Sequence, residues 1–180
     1  MLLHLPGARI REDLTKVAAA LVTLLILSWA GLAAVTSLGY AGDLGWLEPA
    51  HHIRLAIPAF LLGTLAHAMT MFYFIGTGKV VREEAASASL GPDWVAETRS
   101  YKRQVFPWAT WTLMLIVAVP ILGGAVDTGW LPGWVHGVLA LAMLAAGARA
   151  VVLEVSCISR NLRLLDRLEA ALPPAPERAG

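Results

Sequence analysis

Four apolar segments of about twenty residues each constrain the fold of this 180-residue sequence more than any other feature. An α-helix rises 1.5 Å per residue, so about 20 apolar residues cross a bilayer core of about 30 Å. The composition agrees, because only 15% of the residues are charged, against about a quarter in soluble domains. The sequence therefore predicts an all-α integral membrane protein with a single domain, residues 1–172, that forms a four-helix transmembrane bundle. The predicted spans are approximately 17–38, 55–75, 106–126 and 131–152.

Lys and Arg are distributed unequally between the two sides of these spans. Twelve of the fourteen lie in the N-terminal flank, the loop between the second and third spans, and the C-terminal segment, whereas Arg54 alone lies in the opposite loops. Basic residues are retained on the cytoplasmic side of a membrane. Both termini are therefore predicted to be cytoplasmic, in a multi-pass protein of the inner (plasma) membrane, surrounded by lipid. The first span is predicted to be an uncleaved signal anchor.

The polar segments that flank the spans predict three further features. Asp93, after Gly91-Pro92, can begin a short amphipathic helix that lies on the cytoplasmic membrane surface between the second and third spans. The fourth helix meets no breaker before Pro173, so an amphipathic extension of it is predicted to protrude into the cytoplasm. Residues 173–180 are predicted to be a disordered tail, and no internal repeat is predicted.

Several classes of function are disfavoured by what the sequence contains. A net charge of +1 offers no basic field for nucleic acid, and one cysteine, Cys157, excludes an intrachain disulfide and a CxxC motif. Metalloprotease, serine-hydrolase and phosphate-loop motifs do not occur in it. No residue is therefore predicted to be catalytic, and any enzymatic role would be that of an electron-transfer subunit within an oxidoreductase.

Two histidines lie at similar depth near the outer ends of the second and fourth helices. These are His52 and His136. A haem b with two axial imidazoles needs one histidine on each of two facing helices, and this pair meets the depth condition. The sequence therefore predicts His52 and His136 as ligands of haem iron. The alternative is that both imidazoles lie at the membrane surface, where they need no ligand.

Two further polar residues lie deeper in the predicted spans and are counted with the cofactor-binding set. His67 lies about midway along the second helix and Arg149 at similar depth on the fourth. His67 is either a neutral imidazole bonded to a neighbouring helix, a metal or haem ligand, or a proton carrier. Arg149 either holds an acidic group of a cofactor or extends to the inner headgroups. In the second case Glu154 is predicted to lie just beyond the membrane and to face Lys79 or Arg82.

Three functions follow from these patterns. The leading hypothesis is a small subunit of a larger membrane complex that transfers electrons through haem b or reacts with quinone, with His52 and His136 as outer ligands and His67 with Arg149 as inner polar groups. The alternative is a non-catalytic assembly subunit whose cytoplasmic surface docks a soluble partner. A transporter or channel module is the third, and it is disfavoured by the small number of intramembrane polar groups.

Overall fold

A computed structural model describes residues 7–46 and 48–173 of the chain, and within this part all regular secondary structure is α-helical. The four helices are α1 (Gly7–Asp43), α2 (Pro49–Ser87), α3 (Asp93–Asp127) and α4 (Gly133–Ala171). Each is long and apolar enough to cross a membrane, which confirms the four predicted apolar helices. The prediction for the C-terminal tail falls almost wholly outside the described residues.

The helices are much longer than a bilayer is thick. They contain 35 to 39 residues, which corresponds to about 52 to 58 Å. The bundle therefore has two distinct ends. The hairpin end carries the short connections at 44–48 and 128–132, and the terminal end carries the connection at 88–92 together with the C-terminal end of α4.

The helices form a square, up-and-down bundle. Helix α1 packs beside α2 and α4, and α3 packs beside the same two helices. Helices α2 and α4 are therefore diagonal partners with little direct contact. The residues that do meet across this diagonal line the centre of the bundle.

One predicted element is not a separate helix. The segment from Asp93 onward, predicted to lie on the membrane surface, is the first part of α3, which continues through Pro107. Its buried residues Thr98, Tyr101 and Val105 face into the bundle, and the last two join the main hydrophobic cluster. Packing against neighbouring helices thus determines its direction. By contrast, α4 does run unbroken to Ala171, just before the prolines.

The two helical hairpins are copies of one another, and this corrects the prediction that the chain has no internal repeat. When residues 34–66 are aligned with 118–150, an offset of 84, fourteen of 33 positions are identical. The matches include the pattern G-x-A-x-D-x-G-W-L at residues 39–47 and 123–131, and the histidines His52 and His136. The hairpin α1–α2 therefore corresponds to α3–α4.

Both copies of the connecting turn have the same backbone geometry. Gly45 and Gly129 each have a φ of 76°, a left-handed conformation that glycine adopts without a Cβ clash. Trp46 N–H donates to Ala41 at 2.9 Å, and Trp130 N–H donates to Ala125 at 2.9 Å. A shared turn of this kind gives the two hairpins the same register.

The packing of the bundle also follows the repeat. The smaller hydrophobic cluster contains Leu32 with Ile116 and Ala59 with Met143, and each of these pairs is related by the offset of 84. The bundle therefore has an approximate twofold axis that relates its two hairpins. Any pair of equivalent residues facing that axis will lie close together.

Candidate functional site: two polar layers between the diagonal helices

The first polar layer lies at the hairpin end and consists of two equivalent histidines. The imidazole rings of His52 on α2 and His136 on α4 have centroids 6.3 Å apart and an interplanar angle of 81°. Both side chains are half-buried. The structure thus brings together the two residues that the sequence predicts as an outer pair.

Each imidazole is held by a backbone carbonyl of the preceding helix. His52 Nδ1 is 3.0 Å from the carbonyl oxygen of Val35, and His136 Nδ1 is 3.1 Å from that of Val119. A carbonyl oxygen can only accept a hydrogen bond, so Nδ1 of each ring carries the proton and donates it. In the neutral imidazole, Nε2 then keeps its lone pair. The hydrogen bond from Nδ1 thus fixes each histidine in the tautomer whose Nε2 can bind a metal.

A glycine one turn beyond each accepting carbonyl makes room for the ring. A Cβ added to Gly39 would lie 3.0 Å from Cε1 of His52, and one added to Gly123 would lie 3.1 Å from Cε1 of His136. Such distances are closer than ordinary van der Waals contact. Both glycines belong to the repeated sequence pattern. The pattern therefore includes the residues that leave room for the imidazole ring as well as the residues of the turn.

Gly123→Ala is expected to make the protein about 1–3 kcal/mol less stable than Gly124→Ala. The first substitution pushes the His136 ring away from Val119, which costs overpacking and a hydrogen bond. The second adds a Cβ where nothing lies within 4 Å, and alanine favours helix over glycine by about 1 kcal/mol. Reversible unfolding in mixed micelles measures both. Equal stabilities would show that the glycine does not seat the ring.

The second polar layer lies nearer the terminal end and is a pair between His67 and Glu154. Nδ1 of His67 on α2 lies 3.0 Å from Oε1 and 2.9 Å from Oε2 of Glu154 on α4. The side chains are 2% and 0% exposed. Their contact crosses the diagonal of the bundle, so two helices that otherwise scarcely meet are joined by a charged or proton-sharing group.

Glu154 does not face Lys79 or Arg82, as the sequence predicts. Its side chain is fully buried and pairs with His67. The sequence does contain a pattern that indicates burial of Glu154. The face of α4 that continues from His136 through Met143 and Gly147 also carries Glu154. The buried state of Met143 and Gly147 shows that this whole face is interior. A carboxyl group on it needs a partner, which His67 supplies.

Arg149 does not join His67. Its side chain is exposed, and its guanidinium carbon lies 5.8 Å from the ring centroid of Trp108 on α3. This cation–π contact lies on the surface of the bundle, away from its centre. Glu154, and not Arg149, is therefore the polar partner of His67. Of the four predicted site residues, the structure therefore brings His52 to His136, and it places His67 and Arg149 apart.

Three more hydrogen bonds continue the polar layer toward the terminal end. Asn161 on α4 donates to the hydroxyl of Tyr73 on α2 at 3.2 Å, with both side chains buried. Arg160 donates to Oε1 of Gln104 on α3 and to Sγ of Cys157 on its own helix, each at 2.9 Å. The contacts with Tyr73 and Gln104 could not be predicted from the sequence, because they depend on which helices are neighbours.

Within the described part of the chain, no group of three or more His, Cys, Asp or Glu side chains is placed so as to hold a metal ion. Comparisons of the chain with protein-family models, with curated proteins and with solved structures found no match. The two polar layers are therefore the basis for assigning a function.

Proposed function

We propose that this chain is a membrane electron-transfer protein that holds one haem b between His52 and His136. The observation that carries the proposal is that the two imidazoles lie 6.3 Å apart between their centroids, and that Nδ1 of each ring donates to a backbone carbonyl. Haem iron needs only two protein ligands, because the porphyrin supplies the other four. A pair of histidines on facing helices is therefore sufficient.

The distance between the rings supports this assignment. The ring centroids of His52 and His136 lie 6.3 Å apart, which is compatible with one metal ion between the two rings, because a bond from an imidazole nitrogen to a first-row metal is about 2.0–2.1 Å long. His52 and His136 would hold the iron through Nε2, and the haem would supply one-electron transfer.

Most of the residues that follow the histidines on the same faces of α2 and α4 are small. One turn inward lie Ala56 and Ala140, equivalent by the repeat, and beyond them Gly63 and Gly147. Between these levels Ala59 is matched by the larger Met143, which packs with Leu32 and Ile116 and bounds the space on the inner side. His52 and His136 would hold the haem iron between the two hairpins.

The experiment that tests the proposal is the visible absorption spectrum of the full-length protein purified from a haem-sufficient host. The expected result is a Soret band together with α and β bands that sharpen on dithionite reduction, and a low-spin electron paramagnetic resonance signal in the oxidised form. A colourless protein that does not take up added haemin would contradict the proposal.

We infer the membrane orientation from charge. The hairpin end carries the exposed tryptophans Trp46, Trp130 and Trp134, which is typical of a membrane interface, while most basic residues lie toward the terminal end. By the positive-inside rule the terminal end faces the cytoplasm, and the haem lies near the outer surface of the inner membrane. Electrons would then enter or leave through a partner on that side, consistent with a subunit of a larger complex.

A further inference from the structure

The buried pair of His67 and Glu154 is separate from the proposed haem site and is not explained by it. His67 follows His52 by fifteen residues on the same helix, which corresponds to about 22 Å along its axis. An ionisable pair inside a transmembrane bundle is costly unless it has a function or a complete set of partners. The number of protons on the pair and the charged groups near it determine its possible function.

The pair is neutral when it holds one shared proton. Imidazolium with carboxylate, and neutral imidazole with carboxylic acid, contain the same number of protons and differ only in which side of the His67–Glu154 hydrogen bond the proton occupies. Losing the proton leaves a net charge of −1 in the bundle, and gaining another leaves +1. Because burial penalises net charge, a nearby countercharge decides whether the proton can leave.

Arg160 is the countercharge that the structure provides. It follows Glu154 by six residues on α4, about 9 Å along the axis. Its contacts are to Gln104, to Cys157 and to the face of the Tyr101 ring, 5.3 Å from its guanidinium carbon. These groups are uncharged in their ordinary forms, but the Glu97 carboxylate, which accepts from Tyr101, also lies within electrostatic reach of Arg160. The charge of the guanidinium is therefore divided between Glu97 and the deprotonated, negative state of the pair.

Polar groups lie between the pair and the terminal end of the bundle. Cys157 lies one turn beyond Glu154 on α4, and its sulfur accepts from Arg160. Tyr101 lies under the guanidinium and donates to Glu97. Glu97 and Tyr101 line an open groove of about 520 Å³ at the terminal end. Thiol and hydroxyl groups can both accept and donate a proton.

Toward the hairpin end, the histidines of the first polar layer lie about 22 Å from the pair along α2. The sequences at 17–39 on α1 and 105–126 on α3 contain no ionisable residue. The buried polar residues of those two stretches include Ser28, bonded to its own helix, and Thr112, whose hydroxyl has no partner in the described chain. The titratable and charged groups around the pair are therefore those on α2 and α4, namely Tyr73, Arg149, Cys157 and Arg160.

We propose that His67 and Glu154 form a proton-binding site that exchanges its proton with the terminal end past Cys157 and Tyr101, beside the fixed positive charge of Arg160. The proton shared in the His67–Glu154 hydrogen bond leaves toward the groove lined by Glu97, and Arg160 balances the negative charge left behind. No bond between heavy atoms is made or broken, and no electron is transferred. The site thus gives the bundle a second function, proton uptake and release, at the end opposite the haem.

Infrared difference spectroscopy of the full-length protein in sealed liposomes tests this proposal. Isotope-labelled glutamate identifies carboxyl bands, and liposomes of one orientation are selected by access to a C-terminal tag. With the terminal end outside, a pH change outside is expected to alter a buried carboxyl band promptly. With the hairpin end outside, the same change is expected to have no effect until a proton ionophore is added.

Three variants test whether the carboxyl band belongs to Glu154 and whether Arg160 affects its titration. Glu154→Gln is expected to remove it, and the matched substitution Glu84→Gln, at an exposed position on α2, is expected to leave it. Arg160→Gln removes the countercharge, so the band is expected to titrate about one pH unit higher than in the unchanged protein.

Two outcomes would overturn the proposal. One is a buried carboxyl band that is constant over the whole pH range in which the helical circular dichroism spectrum persists, which would show that the pair only pins α2 to α4. The other is a response that comes first from the hairpin end. Because the labelled unchanged protein already distinguishes these outcomes, the test does not depend on the folding of Glu154→Gln.

Discussion

Replacing His67 with leucine is expected to lower the free energy of unfolding by about 3–5 kcal/mol. The substitution leaves the Glu154 carboxyl group, which is 0% exposed, without the imidazole that lies within 3.0 Å of both its oxygens. Removing one member of a buried pair costs this much because the remaining group stays desolvated and uncompensated. A typical domain has a total stability of 5–15 kcal/mol, so the loss is a large fraction of it.

The double substitution His67→Leu with Glu154→Leu is expected to be within about 1–2 kcal/mol of the unchanged protein. An apolar pair of similar volume removes both the attraction and the desolvation cost. Reversible unfolding in mixed micelles of the four proteins gives the coupling energy directly. Glu83→Gln, which breaks the exposed pair with Lys79, serves as the control and is expected to change stability by no more than about 0.5–1 kcal/mol. Additive effects of the two leucine substitutions would show that His67 and Glu154 do not act as a pair.

The apolar helices could be predicted from the sequence because the signal that defines them is local. A membrane-spanning helix needs only a sufficient run of apolar residues, and each of the four runs can be recognised without knowledge of the others. Pro173 also predicted the C-terminal limit of α4. The beginning of α3 was predicted less well. The sequence predicts Asp93 as the start of a separate surface helix, whereas burial of Tyr101 and Val105 in the bundle keeps the segment in line with the rest of α3.

The contacts of the inner layer could not be predicted in the same way. The depth of Glu154 was judged from the end of an apolar run and from Arg149, whose guanidinium lies on the outer face of the bundle. Its actual environment depends on α2 lying diagonally across from α4. Only the arrangement of all four helices determines that His67 is the residue opposite. The spacing of residues on one face of α4 indicates that Glu154 faces the interior of the bundle, but it does not identify His67 as its partner.

The proximity of the two histidines in the outer layer follows from the repeat. Their similar depth indicates a pair, and the structure places their rings 6.3 Å apart. They are equivalent residues of the two hairpins, which explains why they lie close together. The two layers differ in this respect, because His67 corresponds to Val151 and Glu154 to Thr70 under the offset of 84. The inner layer is thus a departure from the symmetry, in which each hairpin contributes a different group.

Leucine in place of either His52 or His136 is expected to abolish the low-spin haem spectrum, whereas leucine in place of His51 is expected to leave it unchanged. Iron held by two trans imidazoles is low-spin, and loss of either ligand leaves it with one protein ligand. His51 is the matched control because it is adjacent to His52 and exposed. The measurement is the absorption and electron paramagnetic resonance spectrum of each purified variant after reconstitution with haemin.

A cavity variant distinguishes the loss of a ligand from the loss of the fold. In His136→Gly the imidazole is removed and its place left open, so added free imidazole is expected to restore the low-spin spectrum in a saturable manner. Gly123→Ala, which displaces His136 without removing it, is expected to weaken haem binding about 10–100-fold, as the loss of a hydrogen bond that orients a ligating imidazole does. Gly124→Ala is expected to bind haem as the unchanged protein does. If His52→Leu and His136→Leu retained the spectrum, the iron would have other ligands and the pair would be a packing feature of the twofold axis.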